Sequence, residues 1–248
     1  MSDAAPAIVR LPRVASTMDA LHELAQAGAP AGTAVVAEEQ TAGRGSRGRV
    51  WTSPPGGLWV SVLARPASAG LELLSLRAGL AVAELLERYG AGPRLGLKWP
   101  NDLMLDDRKV GGILCEARWQ GAGLAWVVIG LGLNVTNAPP PALAASATHL
   151  ARALPALTPA GLADPAVAAL RAVDAAAGPL SDEERARYAA WDWLRGRALE
   201  APVAGAAAGL AADGALLVRR KDGTTAAVRA GTVVLAGTSA TVDLRPCS

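Results

Sequence analysis

The chain has 248 residues, long enough for one large domain or a domain with a small appendage, and enough to bury a sizeable core. Its 24 Lys and Arg against 22 Asp and Glu leave a formal charge of +2, which argues against a surface wholly given to gripping a polyanion. Hydrophobic residues reach 51%, yet Phe is absent and aromatics are 4%, so Leu, Val, Ile and Ala must build the core around a few Trp anchors. Two cysteines, Cys115 and Cys247, exclude a disulfide framework and a four-ligand zinc site. The start of the chain shows no basic segment followed by an apolar run, so no signal peptide is expected. The longest strongly apolar stretch, residues 121–133, is too short to cross a bilayer as a helix. A soluble cytoplasmic protein is the expectation.

In chain order, residues 16–27 read as a helix that Ser16 or Thr17 can cap, with Leu21 and Leu24 on an apolar face and Gly28 as the stop. Residues 33–37 read as a short strand feeding a long connection. Within it, residues 43–49 hold three Gly and three Arg, cannot pack a core and must form a loop. Pro54-Pro55-Gly56-Gly57 is a turn, and residues 58–63 form a strand. Leu74, Ala78, Ala81, Val82 and Leu85 fall at helical spacing and predict an amphipathic helix over 71–89. Residues 95–105 run as strand into the charged turn Asp106-Asp107-Arg108, residues 109–116 return, and residues 126–135 add another strand. Residues 138–180, rich in Ala and Pro, are expected as short helices broken by Pro155, Pro159 and Pro165. Ser181 followed by Asp182, Glu183 and Glu184 opens a further helix with a cap and an acidic first turn. From about residue 198 short strands at 216–218, 226–228 and 233–235, separated by Asp213-Gly214 and Asp222-Gly223, follow the grammar of a small β-barrel. The pattern is an α/β body with a β appendage.

Two segments carry chemistry. In the loop from Gly43 to Arg49, glycines let backbone approach a ligand and guanidinium groups grip phosphate or carboxylate; a solvated basic loop is equally compatible. No Gly-Lys-Ser/Thr follows, so it is not a P-loop, and Arg44 in place of Gly excludes a nucleophile elbow at Ser46. The second segment is Lys98-Trp99-Pro100-Asn101-Asp102 with Lys109. Pro100 marks an edge or bulge from which Lys98, Asn101 and Asp102 could face a cleft, although turn formers and solvated lysines are the commoner reading. Gly111-Gly112 interrupts the next strand, as glycines do where a ligand approaches. His22 and His149, the only histidines, fit no metal-binding or Ser-His-Asp pattern, and Trp191 and Trp193 read as core.

Together these motifs resemble those of the biotin–protein ligases. Gly43-Arg44-Gly45-x-Arg47-Gly48-Arg49-x-Trp51 is similar to the family's glycine–arginine loop. Lys98-Trp99-Pro100-Asn101-Asp102, then Arg108-Lys109-Val110-Gly111-Gly112-Ile113-Leu114 and Gly130-Leu131-Gly132-Leu133-Asn134, match its next three motifs, and Ser16-Thr17 its opening pair. The five motifs fall in the family's order across residues 14–135. The resemblance implies an α+β fold: a class II synthetase-like catalytic domain of mixed β-sheet and helices over residues 1–197, and a C-terminal SH3-like β-barrel over 198–248.

It also implies an ATP-dependent reaction in which biotin and MgATP give biotinyl-5′-AMP, whose acyl group passes to a lysine of a biotin carboxyl carrier domain of acyl-CoA carboxylase or pyruvate carboxylase. Carried over by position, Ser16, Thr17, Met18, Gln40, Gly43, Arg44, Gly45, Ser46, Gly111 and Gly112 should surround biotin, with Lys109 on its carboxylate. Arg44, Arg47, Arg49, Trp51, Lys98, Asn101 and Asn134 should meet ATP or the adenylate, Asn134 at the adenine and Trp51 as cover. Lys109, Arg44 and Asp102 should carry the catalysis, with Asp102 orienting the incoming lysine or binding magnesium.

The chain departs from the pattern at Ser46, where the family usually has Arg, at Met18, often Asn, and at Thr232, usually acidic. The alternative within the same fold is a lipoate or octanoate ligase or transferase, which lacks the Gly-Arg-Gly loop with its following Trp. A nucleic-acid-binding regulator using the Arg loop is disfavoured, because about 15 residues precede Ser16-Thr17, too few for a DNA-binding domain. No specific DNA and no membrane partner are expected, and a monomer or weak dimer.

Overall fold

The computed structural model describes residues 5–66, 70–175 and 178–237; Cys247, residues 238–248 of the expected barrel and residues 1–4 at the chain start lie outside them. The main sheet begins with β1 (Ile8–Val14), α1 (Thr17–Gln26), β2 (Ala34–Gln40), β3 (Gly57–Ala64) and α2 (Leu71–Arg88). It continues through β4 (Leu95–Lys98), β5 (Asp102–Leu105), β6 (Arg108–Gln120) and β7 (Gly123–Asn134). The strand order is β1-β2-β3-β7-β6-β5-β4, parallel between β1 and β2 and antiparallel elsewhere.

Strand alternation divides the core. Val35, Leu63 and Val128 face α1, whose Met18, Leu21 and Ala25 complete one cluster. Val36, Val60, Val62, Ile129 and Leu131 face the opposite way, into the larger core shared with α2 and with α3 (Pro159–Arg171). Ser16 caps α1 by accepting from the Met18 amide at 3.3 Å, as its sequence predicts. In α4 (Asp182–Trp191) Ser181 and Glu184 form the full capping box.

Two expectations fail. Residues 95–105 are not one strand but the hairpin β4–β5, turning at Trp99-Pro100-Asn101 with a cis Trp99–Pro100 peptide. Proline brings no N–H to a ladder, and here the chain reverses at it, setting Lys98 directly opposite Asp102. Pro165 does not break its helix but lies within α3. Leu162, Ala163, Ala166, Val167 and Leu170 are all buried along that helix, and their packing outweighs the roughly 3 kcal/mol that an interior proline costs.

The appendage contains β8 (Ala198–Ala201), β9 (Gly205–Leu210), β10 (Leu216–Arg219), β11 (Thr225–Val228) and β12 (Val234–Leu235), an antiparallel sheet ordered β11-β10-β9-β8-β12. This matches the small SH3-like unit expected there. Leu199, Leu216 and Val218 join the large core, so the appendage packs on the body through apolar surface. No helix among the described residues is long and apolar enough to cross a membrane.

Candidate active site

A cavity of about 880 Å³ opens where the glycine–arginine loop, the β4–β5 hairpin and the ends of β6 and β7 meet the appendage. One part of its wall is a neutral, tightly hydrogen-bonded cluster. Thr17 donates its amide to Gln40 Oε1 at 2.9 Å, and its hydroxyl lies 2.8 Å from Ser61. Gln40 in turn donates Nε2 to Ser53 at 2.9 Å. Ser16 and Met18 share this wall, and Gly130 leaves room for Met18: a Cβ there would stand 3.0 Å from its sulfur.

The glycine–arginine loop folds as a small hairpin, with Arg44 bridged to Val50 and the Gly45 amide donating to the Arg49 carbonyl at 2.7 Å. Gly43 has a steric reason to be glycine, since a Cβ would fall 2.4 Å from the Trp51 carbonyl and 2.5 Å from the Ser53 hydroxyl. Arg44 and Arg49 line the cavity with Gly45 and Ser46. Arg47 does not. It takes a left-handed φ of 61° and reaches away to hydrogen-bond Thr232 of the appendage.

The hairpin and β6 supply the lysines. A register shift between Leu103 and Met104 puts Lys109 opposite Met104, on the face that Asp102 and Gly112 share, and Lys109 Nζ meets Asp102 Oδ1 at 2.5 Å. The same ammonium stands 5.1 Å from the Trp51 ring centre. Asn101 donates to the Ile113 carbonyl at 2.7 Å and so fixes the turn. Gly112 lines the cavity, whereas Gly111 faces the interior, where a Cβ would lie 2.7 Å from Leu133. Burial holds the Lys98 ammonium below its ordinary pKa, with Asp102 opposing and Lys109 and Arg49 reinforcing the shift.

Trp51 packs against β7, where Gly132 admits it: a Cβ there would be 2.8 Å from the indole nitrogen. Asn134 is buried behind it, donating to the Thr148 carbonyl at 3.0 Å and accepting from Asn137 at 2.9 Å. The segment Asn137 to Pro141 completes that side.

The structure corrects one expectation here. Trp193 is not plain core but lines the cavity. Residues 192–193 run beside the β4 edge, with Trp193 N donating to Leu97 O at 3.0 Å, and Gly96 gives the indole its space. The indole N–H donates to Asp107 at 2.7 Å, Arg197 stacks on the ring at 3.9 Å, and Lys98 Nζ lies 5.5 Å from its centre. No local sequence signal marks this contact, because it exists only once the segment from Asp192 to Arg197 folds back onto the Asp106-Asp107 turn.

Among the described residues the wall therefore carries five cations, Arg44, Arg49, Lys98, Lys109 and Arg197, against two carboxylates, Asp102 and Asp107. A cavity that combines a neutral hydrogen-bonded cluster with five cations suits a ligand pair of which one is a polyanion. Among the described residues no group of three or more His, Cys, Asp or Glu gathers to form a metal site of its own.

Residues 11–134 match the biotin/lipoate A/B protein ligase family. The chain is 41% identical over 146 residues to the bifunctional ligase/repressor BirA of Bacillus subtilis (strain 168), an alignment covering 56% of this chain and 45% of that protein. It is 43% identical over 108 residues to the biotin–(acetyl-CoA-carboxylase) ligase of Paracoccus denitrificans, covering 42% of this chain and 45% of that one. The chain thus spans less than half the length of either curated relative. Its fold is similar to that of the biotin protein ligase from Aquifex aeolicus in complex with biotin and ATP, with a TM-score of 0.75 and 27% identity over 92% of this chain and 98% of that chain.

Proposed function

The chain belongs to the biotin/lipoate A/B protein ligase family, and from that premise we propose that it is an ATP-dependent biotin–protein ligase. The observation that carries the reading is one cavity whose wall holds both the neutral Thr17–Gln40 cluster and the Lys109 ammonium, with four further cations. In the first step a biotin carboxylate oxygen bonds to the α-phosphorus of ATP while the bond to the β-phosphate oxygen breaks and pyrophosphate departs. Two anions must be brought together, so cations at the reacting centre lower the barrier. Lys109 takes the carboxylate and then the acyl-phosphate oxygen, while Arg49 and Lys98 face the phosphates.

In the second step the ε-amine of a lysine on a biotin carboxyl carrier domain attacks the acyl carbon, and AMP leaves. Asp102, held by Lys109, is the carboxylate that orients this amine. We assign the carrier to an acyl-CoA carboxylase or pyruvate carboxylase. Among the described residues no acidic cluster gathers, and Asp102 is the carboxylate of the proposed set that would help to hold a magnesium ion carried on the triphosphate. We place the boundary between catalytic and C-terminal units at residues 197 and 198.

The test is isotope exchange between ATP and pyrophosphate with biotin, lipoate or octanoate as the acid. Exchange dependent on biotin is expected, and exchange with lipoate but not biotin would overturn the assignment.

A further inference from the structure

Arg44 is the cavity cation held by two carboxylates. Asp19, in the first turn of α1, accepts from Nη1 at 2.6 Å, and Glu116 on β6 lies at 3.4 Å from Nε and Nη2. Glu116 is the better buried of the two, and it stands in a line of contacts that the reaction does not use. His22 of α1, 8% exposed, meets Glu116 Oε2 through Nε2 at 3.1 Å. Trp126 of β7 lies 2.9 Å from the other ring nitrogen, Nδ1. Neither His22, Glu116 nor Trp126 lines the cavity.

The direction of this line is fixed by chemistry. An indole N–H can only donate, so Nδ1 of His22 must be the acceptor and the ring proton must stand on Nε2, aimed at the carboxylate. In the other tautomer two N–H groups would face each other and a lone pair would face Glu116, losing both contacts. Trp126 is itself held from outside by the Arg65 guanidinium, 5.5 Å from its ring centre. Glu116 lies below the usual carboxylate range, chiefly through the His22 bond and further through Arg44 and Arg118, so it stays ionised beside Arg44.

We propose that His22 is a positioning residue: locked by Trp126 in its Nε2–H form, it aims Glu116 at Arg44 and orders the glycine–arginine loop before a ligand arrives. Its kinetic consequence rests on the biotin-ligase reading; its structural consequence does not.

Two substitutions separate positioning from packing. His22→Gln keeps an N–H near the Nε2 position, whereas His22→Asn places its amide near Nδ1 and cannot reach Glu116. With a hydrogen bond to a charged group lost, His22→Asn should raise the KM for biotin in pyrophosphate exchange about tenfold, and His22→Gln by no more than about twofold. Transfer from preformed biotinyl-5′-AMP should proceed at an unchanged rate in both.

In the unliganded protein, trypsin should cut after Arg44, Arg47 or Arg49 several-fold faster in His22→Asn than in wild type or His22→Gln. A nitrogen-15 spectrum of wild type should show His22 protonated at Nε2 alone, and Trp126→Phe should release the Nδ1–H form. If the two His22 variants behave alike, or if wild-type His22 carries its proton on Nδ1, the proposal is overturned. If wild type shows no biotin-dependent exchange, the ligase reading fails, while loop cleavage and tautomer still decide the role of His22.

Discussion

The indole nitrogen of Trp99 donates to the backbone carbonyl of Gly214 at 2.9 Å, with the ring only 3% exposed. This bond ties the turn that presents Lys98 and Asp102 to the connection between β9 and β10 in the appendage. Gly214 sits at a φ of +80°, and a Cβ on it would fall 2.8 Å from Leu73, so the contact is closely fitted on both sides. Trp99→Phe keeps an aromatic ring but deletes the donor along with part of the indole's volume, leaving a buried carbonyl unpaired. The expected loss is about 1–3 kcal/mol. At roughly 2–4 °C per kcal/mol for a chain of this size, the melting temperature should fall by several degrees. An unchanged melting temperature would show that water replaces the indole and that the tie is dispensable.

Lys109 is expected to be essential for adenylate formation. Its pair with Asp102 is only partly buried, with side chains 28% and 22% exposed, so removing it should cost little stability. The catalytic cost is different in kind, because in the proposed reaction the ammonium offsets charge at the reacting phosphorus. Lys109→Ala should slow biotin-dependent pyrophosphate exchange by on the order of 10²-fold or more, about 3 kcal/mol of barrier, at saturating substrates. Near-normal exchange by the folded variant would remove Lys109 from the role assigned to it.

The motifs of this site were legible where a local rule fixes geometry. Ser16 caps α1, and residues 43–49 cannot be anything but loop. Where orientation depends on pairing, sequence was silent. Gly111 and Gly112 look equivalent in one dimension, but strand side chains alternate, so one faces Leu133 and the other the cavity. Strands β1, β8 and β9 are not legible in the sequence for a related reason. Gly205-Ala206-Ala207-Ala208-Gly209-Leu210 has no β-branched residue and pairs only because β10 and β8 flank it, while β1 carries Pro12 at the sheet edge. Trp193 reads as core from sequence because its surroundings come from Asp107 and Lys98, some 90 residues earlier in the chain.

Acid stability should depend on Glu184. Its side chain takes a hydrogen bond from Arg77 Nε at 2.6 Å, with the guanidinium 8% exposed, and Arg77 also donates to the Gly178 carbonyl at 2.8 Å. The Arg77 bond, aided by the Ser181 amide, holds the Glu184 carboxyl below its ordinary pKa. A depressed folded-state pKa contributes stability that is fully present above the unfolded value and lost as pH falls through the folded one. Glu184→Gln should therefore be less stable than wild type at neutral pH, by about 1–3 kcal/mol for a charge-assisted bond. That gap should close as denaturant midpoints are measured down to about pH 3. A gap independent of pH would show that the pair acts by shape rather than by charge.

Ser46 should make the adenylate easier to lose. By the resemblance, an arginine at this position helps to hold biotinyl-5′-AMP until the carrier arrives. Serine offers a single neutral hydroxyl, and here it is already engaged, accepting from Arg49 Nη2 at 2.9 Å. The neighbouring cation that could compensate, Arg47, is turned to Thr232 and away from the cavity. Losing a hydrogen bond to a charged group is worth about 1.5–3 kcal/mol, or roughly 10- to 150-fold in dissociation. Wild type should therefore release biotinyl-5′-AMP measurably and label bystander lysines, and Ser46→Arg should suppress that labelling. The comparison is biotin incorporation into albumin by the two proteins with biotin and ATP present. Equal and low labelling by both would mean that Arg47 swings in when ligand binds and restores the grip, and the expectation would fail.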